Sequence, residues 1–181
     1  IEGVEDFAMT TNGIRLAEFA KPLAEAGLQR VNVSLDAIDP DRYAAITRGG
    51  DVQEVFRGIA AARAAGLRPV KLNCVIRQSP DEADARDVAA FARRGDMEVR
   101  FIRRMSLAEG HFAVVVGGTG GDCPRCNRLR LSCDGLVRPC LFNDIGFSVR
   151  ELGAREAILR AVTAKPESGL TSDGRFHAIG G

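Results

Sequence analysis

Val31, Val33 and Leu35 alternate with Asn32 and Ser34, the two-residue period of a strand with one face turned to a core. Phe7–Thr10 reads as a short buried strand ahead of it, ending at the turn Thr11-Asn12-Gly13. Val70, Leu72 and Val75 mark a third strand, and Val99–Ile102 a fourth. The period changes between these strands. Leu16, Phe19, Ala20, Leu23 and Ala26 recur at helical spacing, and Gly27 stops that helix. Asp39-Pro40 opens a short helix through Tyr43 and Ile46. Val52, Val55, Phe56, Ile59 and Ala60 form another amphipathic stripe closed by Gly66, and Asp81–Arg94 is a helix ending at Gly95. Strands and helices in this alternation predict an α/β fold, a parallel sheet built of βα units.

After Met105 the pattern changes. Val114–Val116 is expected as one more strand, and the run Gly117-Gly118-Thr119-Gly120-Gly121 as a flexible connector. That run lacks the Gly-Lys-Ser/Thr ending of a phosphate-binding P-loop. Leu129–Leu131 and Leu136–Leu141 flank Asp134-Gly135, a hairpin signal. Ala154–Val162 is a last helix.

Composition adds mostly exclusions. The 181 residues suffice for a sizeable core, and a net charge of +1 gives no global field to draw in nucleic acid or an anionic membrane. No apolar run approaches the length of a membrane span, and the first residues are not a signal peptide. The chain begins with Ile and reads like the middle of a protein, so the start of a longer natural chain is expected to precede it. The odd count of five cysteines, clustered and without a secretion signal, disfavours a disulfide framework and fits a reducing cytoplasm with a metal site.

Chemistry concentrates in two places. Cys123, Cys126 and Cys140 form the spacing C-x2-C-x13-C, with Arg125, Arg128, Arg130 and Arg138 nearby. Thiolates suit iron–sulfur clusters and zinc. Three of them on a four-iron cluster would leave one iron open. Counting Cys133, the spacing becomes C-x2-C-x6-C-x6-C, a candidate four-cysteine zinc site. Strand alternation puts positions 128, 130 and 132 on one face, so if the arginines face the site, Cys133 turns toward the core. Arg128 and Arg130, two residues apart, are suited to bidentate capture of phosphate. The second place is the set of strand ends, where Thr10, Ser34, Asn73 and Arg100 gather, with Lys71 two residues before Asn73. In βα barrels the carboxyl edge carries the chemistry, although helix N-termini favour Ser, Thr and Asn for capping alone. Cys74 reads as a core residue, and neither His111 nor His177 has a partner at ligand spacing.

Thr10-Thr11-Asn12-Gly13, Val31-Asn-Val-Ser34-Leu-Asp-Ala37, Val70-Lys71-Leu-Asn73, Val99-Arg100-Phe-Ile102 and Cys126-Asn-Arg-Leu-Arg-Leu131 occur in order, followed by Cys140-Leu-Phe142 and a terminal Gly-Gly. Over nearly the whole chain this set resembles the GTP 3′,8-cyclase family of molybdenum cofactor biosynthesis, radical S-adenosylmethionine enzymes. The resemblance implies an incomplete (β/α) barrel, here residues 1–105, with a cysteine-rich C-terminal extension, residues 106–181. It implies that one [4Fe-4S] cluster cleaves S-adenosylmethionine to a radical that takes the 3′ hydrogen of GTP, after which the ribose carbon attacks guanine C8. A second cluster, here on Cys123, Cys126 and Cys140, would bind guanine through its open iron. Thr10, Ser34, Asn73 and Met105 match positions lining the S-adenosylmethionine site. Lys71, Arg100, Arg128 and Arg130 match positions that hold GTP, with Arg128 and Arg130 also counted as catalytic. Gly180 and Gly181 match a tail that threads into the active site. A downstream molybdopterin-precursor enzyme and a second copy in a homodimer are the implied protein partners.

The chain departs from the family in three respects. It lacks the C-x3-C-x2-C motif of the radical-generating cluster, it has fewer residues between Met105 and Cys123, and its tail is shorter. The 181 residues alone are therefore expected to be inactive. A non-catalytic nucleotide-binding iron–sulfur module and a structural zinc protein stand as alternatives.

Overall fold

The structure, a computed structural model, describes residues 3–105, 113–142 and 144–167. They fall into two compact units: residues 3–104 with 115–118, and residues 105 and 113–114 with the described residues from 119 onward.

The first unit runs β1 (Ala8–Thr11), α1 (Leu16–Glu25), β2 (Arg30–Ser34), α2 (Pro40–Thr47), α3 (Val52–Ala64), β3 (Val70–Ile76), α4 (Ala83–Arg94) and β4 (Glu98–Arg103). The strands are parallel, in the order β1-β2-β3-β4. This is the α/β sheet of βα units expected from the alternation, and among the described residues it does not close into a barrel.

Local chemistry sets the element ends. Asp39 and Asp51 cap α2 and α3, their carboxylates accepting from the N–H groups of Arg42 at 2.9 Å and Gln53 at 2.8 Å. The Glu82 carboxylate accepts from the N–H groups of Arg77, Gln78 and Ser79, shaping the turn from β3 into α4. At the turn after β1, Gly13 has φ +82°. Gly58 of α3 lets two helices approach closely: a Cβ there would run into the Gly13 carbonyl oxygen and lie 2.9 Å from the Leu16 Cβ.

One face of the sheet is the core. Val31, Val33, Leu72, Cys74 and Phe101 are buried in a single cluster with Leu16 and Ala20 of α1, Val52, Val55 and Ile59 of α3, and Ala85, Val88 and Ala92 of α4. The register puts the polar partners of the alternation together on the opposite face. Thr10, Asn32, Lys71 and Glu98 form one cross-strand row. Ser34, Asn73 and Arg100 form the next.

The segment expected as a further strand at Val114–Val116 is reduced to one antiparallel bridge between Val116 and Phe101. The glycine run after it is not a free connector. Gly117 and Gly118 pack on β4, where a Cβ on Gly117 would sit 2.6 Å from the Val99 carbonyl oxygen. Only residues without a side chain allow that approach.

The second unit holds β5 (Arg130–Leu131), β6 (Leu136–Arg138), β7 (Phe147–Ser148), α5 (Val149–Leu152) and α6 (Ala154–Thr163). Its strands form an antiparallel sheet in the order β5-β6-β7. The Asp134-Gly135 turn joins β5 and β6, with the Gly135 N–H donating to the Ser132 carbonyl at 2.9 Å. Val137, Ala157 and Ala161 form its apolar centre. Strand β7 and helix α5 were not foreshadowed by any periodicity.

Candidate functional site

The turn Cys123–Cys126 is closed by the Cys126 N–H donating to the Cys123 carbonyl at 3.0 Å. Beyond it the chain enters β5, and the β5–β6 hairpin returns it to Cys140. Cys123, Cys126, Cys140, Arg128 and Arg130 consequently line one cavity of about 90 Å³, with Gly120, Gly121 and Phe142. All three cysteines are free thiols, half-buried.

Two of the sulfurs accept a backbone hydrogen bond from two residues downstream, Cys126 from the Arg128 N–H and Cys140 from the Phe142 N–H at 3.4 Å. Such bonds stabilise a thiolate over a thiol. Burial acts to raise the Cys126 thiol, but this bond and the charges of Arg128 and Lys165 together hold it below its ordinary range. Arg130 is shifted down, first by burial and then by the charge of Arg128. Asp122 also lines the cavity, 3.9 Å from Arg125, and around Cys126 the surroundings favour the thiolate.

The donor set fits a thiolate-ligated metal cluster. Among the described residues, no three His, Cys, Asp or Glu side chains are grouped closely enough to hold a single metal ion. The three thiols line a common cavity without being that closely grouped. Cys133 does not line this cavity, and it is exposed rather than turned into the core as the strand alternation predicted. The alternation fails because β5 ends at Leu131, itself 66% exposed, and Cys133 sits in the turn that follows.

The polar sheet face of the first unit is the other candidate region. Asn32 donates to the Thr10 hydroxyl at 3.3 Å and accepts from Arg30 at 3.4 Å. Lys71 pairs with Glu98 at 2.6 Å, so an incoming anion would have to compete with that carboxylate. In the next row the Asn73 Oδ1 and Arg100 Nε are buried without a hydrogen-bond partner. Asn73 and Arg100 are direct register partners, and buried polar groups left unpaired are costly unless a ligand completes them. Gly118 lies over this arginine, where a Cβ would be 3.3 Å from the Arg100 Cδ.

A larger cavity, about 640 Å³, lies elsewhere in the first unit beside Asp36, Arg42, Glu82 and Asp84. Its carboxylates are already engaged: Asp84 by Arg42 at 2.7 Å, Asp36 by the Val75 N–H at 2.7 Å, and Glu82 by the three loop amides.

Comparison with known proteins places this arrangement. Residues 1–92 match the radical SAM superfamily. A GTP 3′,8-cyclase of Thermodesulfovibrio yellowstonii is 34% identical over 220 aligned positions, covering 92% of this chain and 68% of the relative. One from Moorella thermoacetica is 36% identical over 239 positions, covering 100% of this chain and 74% of the relative. A third, from Pelotomaculum thermopropionicum, is 36% identical over 92% of this chain and 68% of the relative.

The chain belongs to the GTP 3′,8-cyclase family of the radical SAM superfamily.

Within this family the chain is compact, since the 220 aligned positions exceed its 181 residues. The relatives therefore carry internal residues with no counterpart here.

The residues singled out from the resemblance to the GTP 3′,8-cyclase family divide between the units. Thr10, Ser34, Lys71, Asn73 and Arg100 share the polar sheet face of the first unit. Cys123, Cys126, Cys140, Arg128 and Arg130 share the cavity of the second, the unit to which Met105 also belongs. Gly180 and Gly181 lie outside the described residues. Sequence reasoning missed Asn32, Glu98 and Gly118, which become visible only through register and close approach. It also missed Lys165, whose ammonium donates to the Arg128 and Pro139 carbonyls, each at 2.8 Å.

Proposed function

We propose that this chain serves molybdenum cofactor biosynthesis by binding GTP for its radical cyclisation to 3′,8-cyclo-7,8-dihydro-GTP. The observation that carries the reading is the sharing of one cavity by three thiols and two guanidiniums. The names of the relatives support the same substrate. Cys123, Cys126 and Cys140 would hold a [4Fe-4S] cluster. When bound, that cluster supplies an iron with an open position for guanine. Arg128 and Arg130 bind phosphate oxygens through paired N–H groups. Lys71 and Arg100 add cationic contacts to the nucleotide. Thr10, Ser34, Asn73 and Met105 bind S-adenosylmethionine. For Asn73 and Arg100 the support is structural: their buried unpartnered atoms would be completed by polar ligand groups. Gly180 and Gly181 are assigned a catalytic role on the resemblance alone.

A second [4Fe-4S] cluster, on a C-x3-C-x2-C motif, is needed to generate the radical, and the motif does not occur in these 181 residues. These residues alone therefore bind the nucleotide without turning it over, and an activity test requires that cluster to be supplied. The setting is the reducing cytoplasm, the active form is a homodimer, and the product passes to a molybdopterin-precursor enzyme. A four-cysteine zinc site has less support, because Cys133 is exposed and absent from the cavity lining. Among the described residues no helix is long and apolar enough to cross a membrane.

The test is anaerobic reconstitution of the chain with iron and sulfide, followed by titration with GTP. The reduced cluster should give an electron paramagnetic resonance spectrum that GTP alters. Arg128→Ala and Arg130→Ala should each weaken GTP binding roughly ten- to hundred-fold, the range for a lost charge-assisted hydrogen bond. Zinc without iron, or a spectrum indifferent to GTP, would sink the reading.

A further inference from the structure

We infer that Lys165 is a positioning residue for the metal cluster, clamping the two cysteine-bearing arms and raising the cluster's reduction potential. The inference rests on the reading of Cys123, Cys126 and Cys140 as cluster ligands.

Lys165 follows the end of α6. The Ala164 N–H donates to the Arg160 carbonyl at 2.9 Å and the Lys165 N–H to that of Val162 at 3.2 Å, so the last helical turn is closed and the side chain leaves it from a fixed base. Its ammonium then spans the two arms of the cavity. One bond goes to the carbonyl of Arg128, two residues after Cys126. The other goes to that of Pro139, the residue before Cys140. Both acceptors are distant in sequence, 37 and 26 residues away, and both arms are short stretches outside long regular elements. The β5–β6 ladder joins the arms at Arg130 and Arg138, and the ammonium extends that tie past the end of the ladder, to the residues beside the cysteines. Pro139 is buried and has no N–H of its own to tie that arm back.

The charge matters separately from the bonds. Lys165 is half-buried, yet among the described residues no carboxylate pairs with it. Carbonyls accept from its N–H groups but do not neutralise it, and its further interaction is with the Cys126 sulfur. Three thiolates on a cluster supply the missing negative charge. A cation fixed beside such a cluster favours the reduced, more negative form and so raises its potential. Arg128 and Arg130 face the substrate in the proposed site, whereas Lys165 is held by protein carbonyls and is free of that role.

The experiment compares the reconstituted wild-type chain with Lys165→Met and Lys165→Arg. The readouts are the rate of iron loss to a chelator and the midpoint potential from a redox titration followed by paramagnetic resonance. Lys165→Met should lose iron roughly ten-fold faster, the scale of outer-shell effects on metal sites, and its midpoint should move to more negative potential. Lys165→Arg, which keeps the charge and several donors, should restore the potential. Wild-type values in Lys165→Met, or a Lys165→Arg midpoint as negative as that of Lys165→Met, would overturn the inference. A wild-type chain that takes up no iron would overturn the cluster reading beneath it instead.

Discussion

The sheet of the first unit turns Val31, Val33, Leu72 and Cys74 wholly or almost wholly away from water, in one cluster with side chains of four helices. The second unit gathers its apolar centre around Val137, Ala157 and Ala161, one valine and two alanines. Burial contributes in proportion to apolar area, so the first unit has the larger such source, the second adding only the partly buried Leu129, Phe147, Val149 and Leu152 to its centre. Beside that smaller core the second unit has polar ties: the Lys165 clamp, the Asp134-Gly135 turn and thiols disposed around a cavity. Small units without much core commonly draw on metal ligation for stability. The contrast teaches that the two units differ in how much hydrocarbon they bury, the first far more than the second.

The largest effect should come from the ligands. Replacing Cys126 by Ala should abolish cluster uptake and unfold the second unit, because metal binding in such sites supplies on the order of 10 kcal/mol of folding free energy. Hydrogen exchange resolved by segment should show lost protection after residue 119 with β1–β4 unchanged. A second unit as protected without iron as with it would break the comparison.

Leu72→Ala attacks the other half. Leu72 is fully buried at the centre of β3, and its truncation should cost about 3 kcal/mol by denaturant titration while leaving iron uptake intact. A smaller effect of the same kind is expected from Gly58→Ala. The added methyl would press on the Gly13 carbonyl and Leu16, costing about 2 kcal/mol as α1 and α3 separate.

The finest distinction is between two thiols. Burial first, and then the charges of Asp36, Asp84 and Glu82, push the Cys74 thiol up to about 12. It stays protonated in the folded state at neutral and mildly alkaline pH, so iodoacetamide should label exposed Cys133 and spare Cys74. The linkage has a definite sign. Above the ordinary thiol range the unfolded chain releases this proton and the folded chain keeps it, so this contribution to stability falls as pH rises toward 12. Cys74→Ala should flatten that part of the stability–pH curve.

The four parallel strands were legible because each spans enough residues to display alternation. Strand β7 and helix α5, two and four residues long, are too short to show any period. The cysteine and arginine set was legible because its spacing is local. Cys133 was misplaced by extending a strand's alternation past its end. The polar face was only half seen: Thr10 and Ser34 do lie at strand ends, Asn73 and Arg100 lie within β3 and β4 rather than at their ends, and Asn32 and Glu98 joined them once the register was known. Lys165 gave no local signal at all, since both its acceptors lie far along the chain.

The strict alternation of β3, with Val70, Leu72, Cys74 and Ile76 buried and Lys71 and Asn73 on the other side, has a consequence for how errors are penalised. A slip of one residue against β2 or β4 would drive an ammonium and an amide into hydrocarbon and strand a leucine on the wet side. A strand that pairs wrongly to place its ligand groups elsewhere therefore fails to fold rather than folding with a displaced site. Correct assembly of the sheet is in this way its own proofreading of the polar face that carries Lys71 and Asn73.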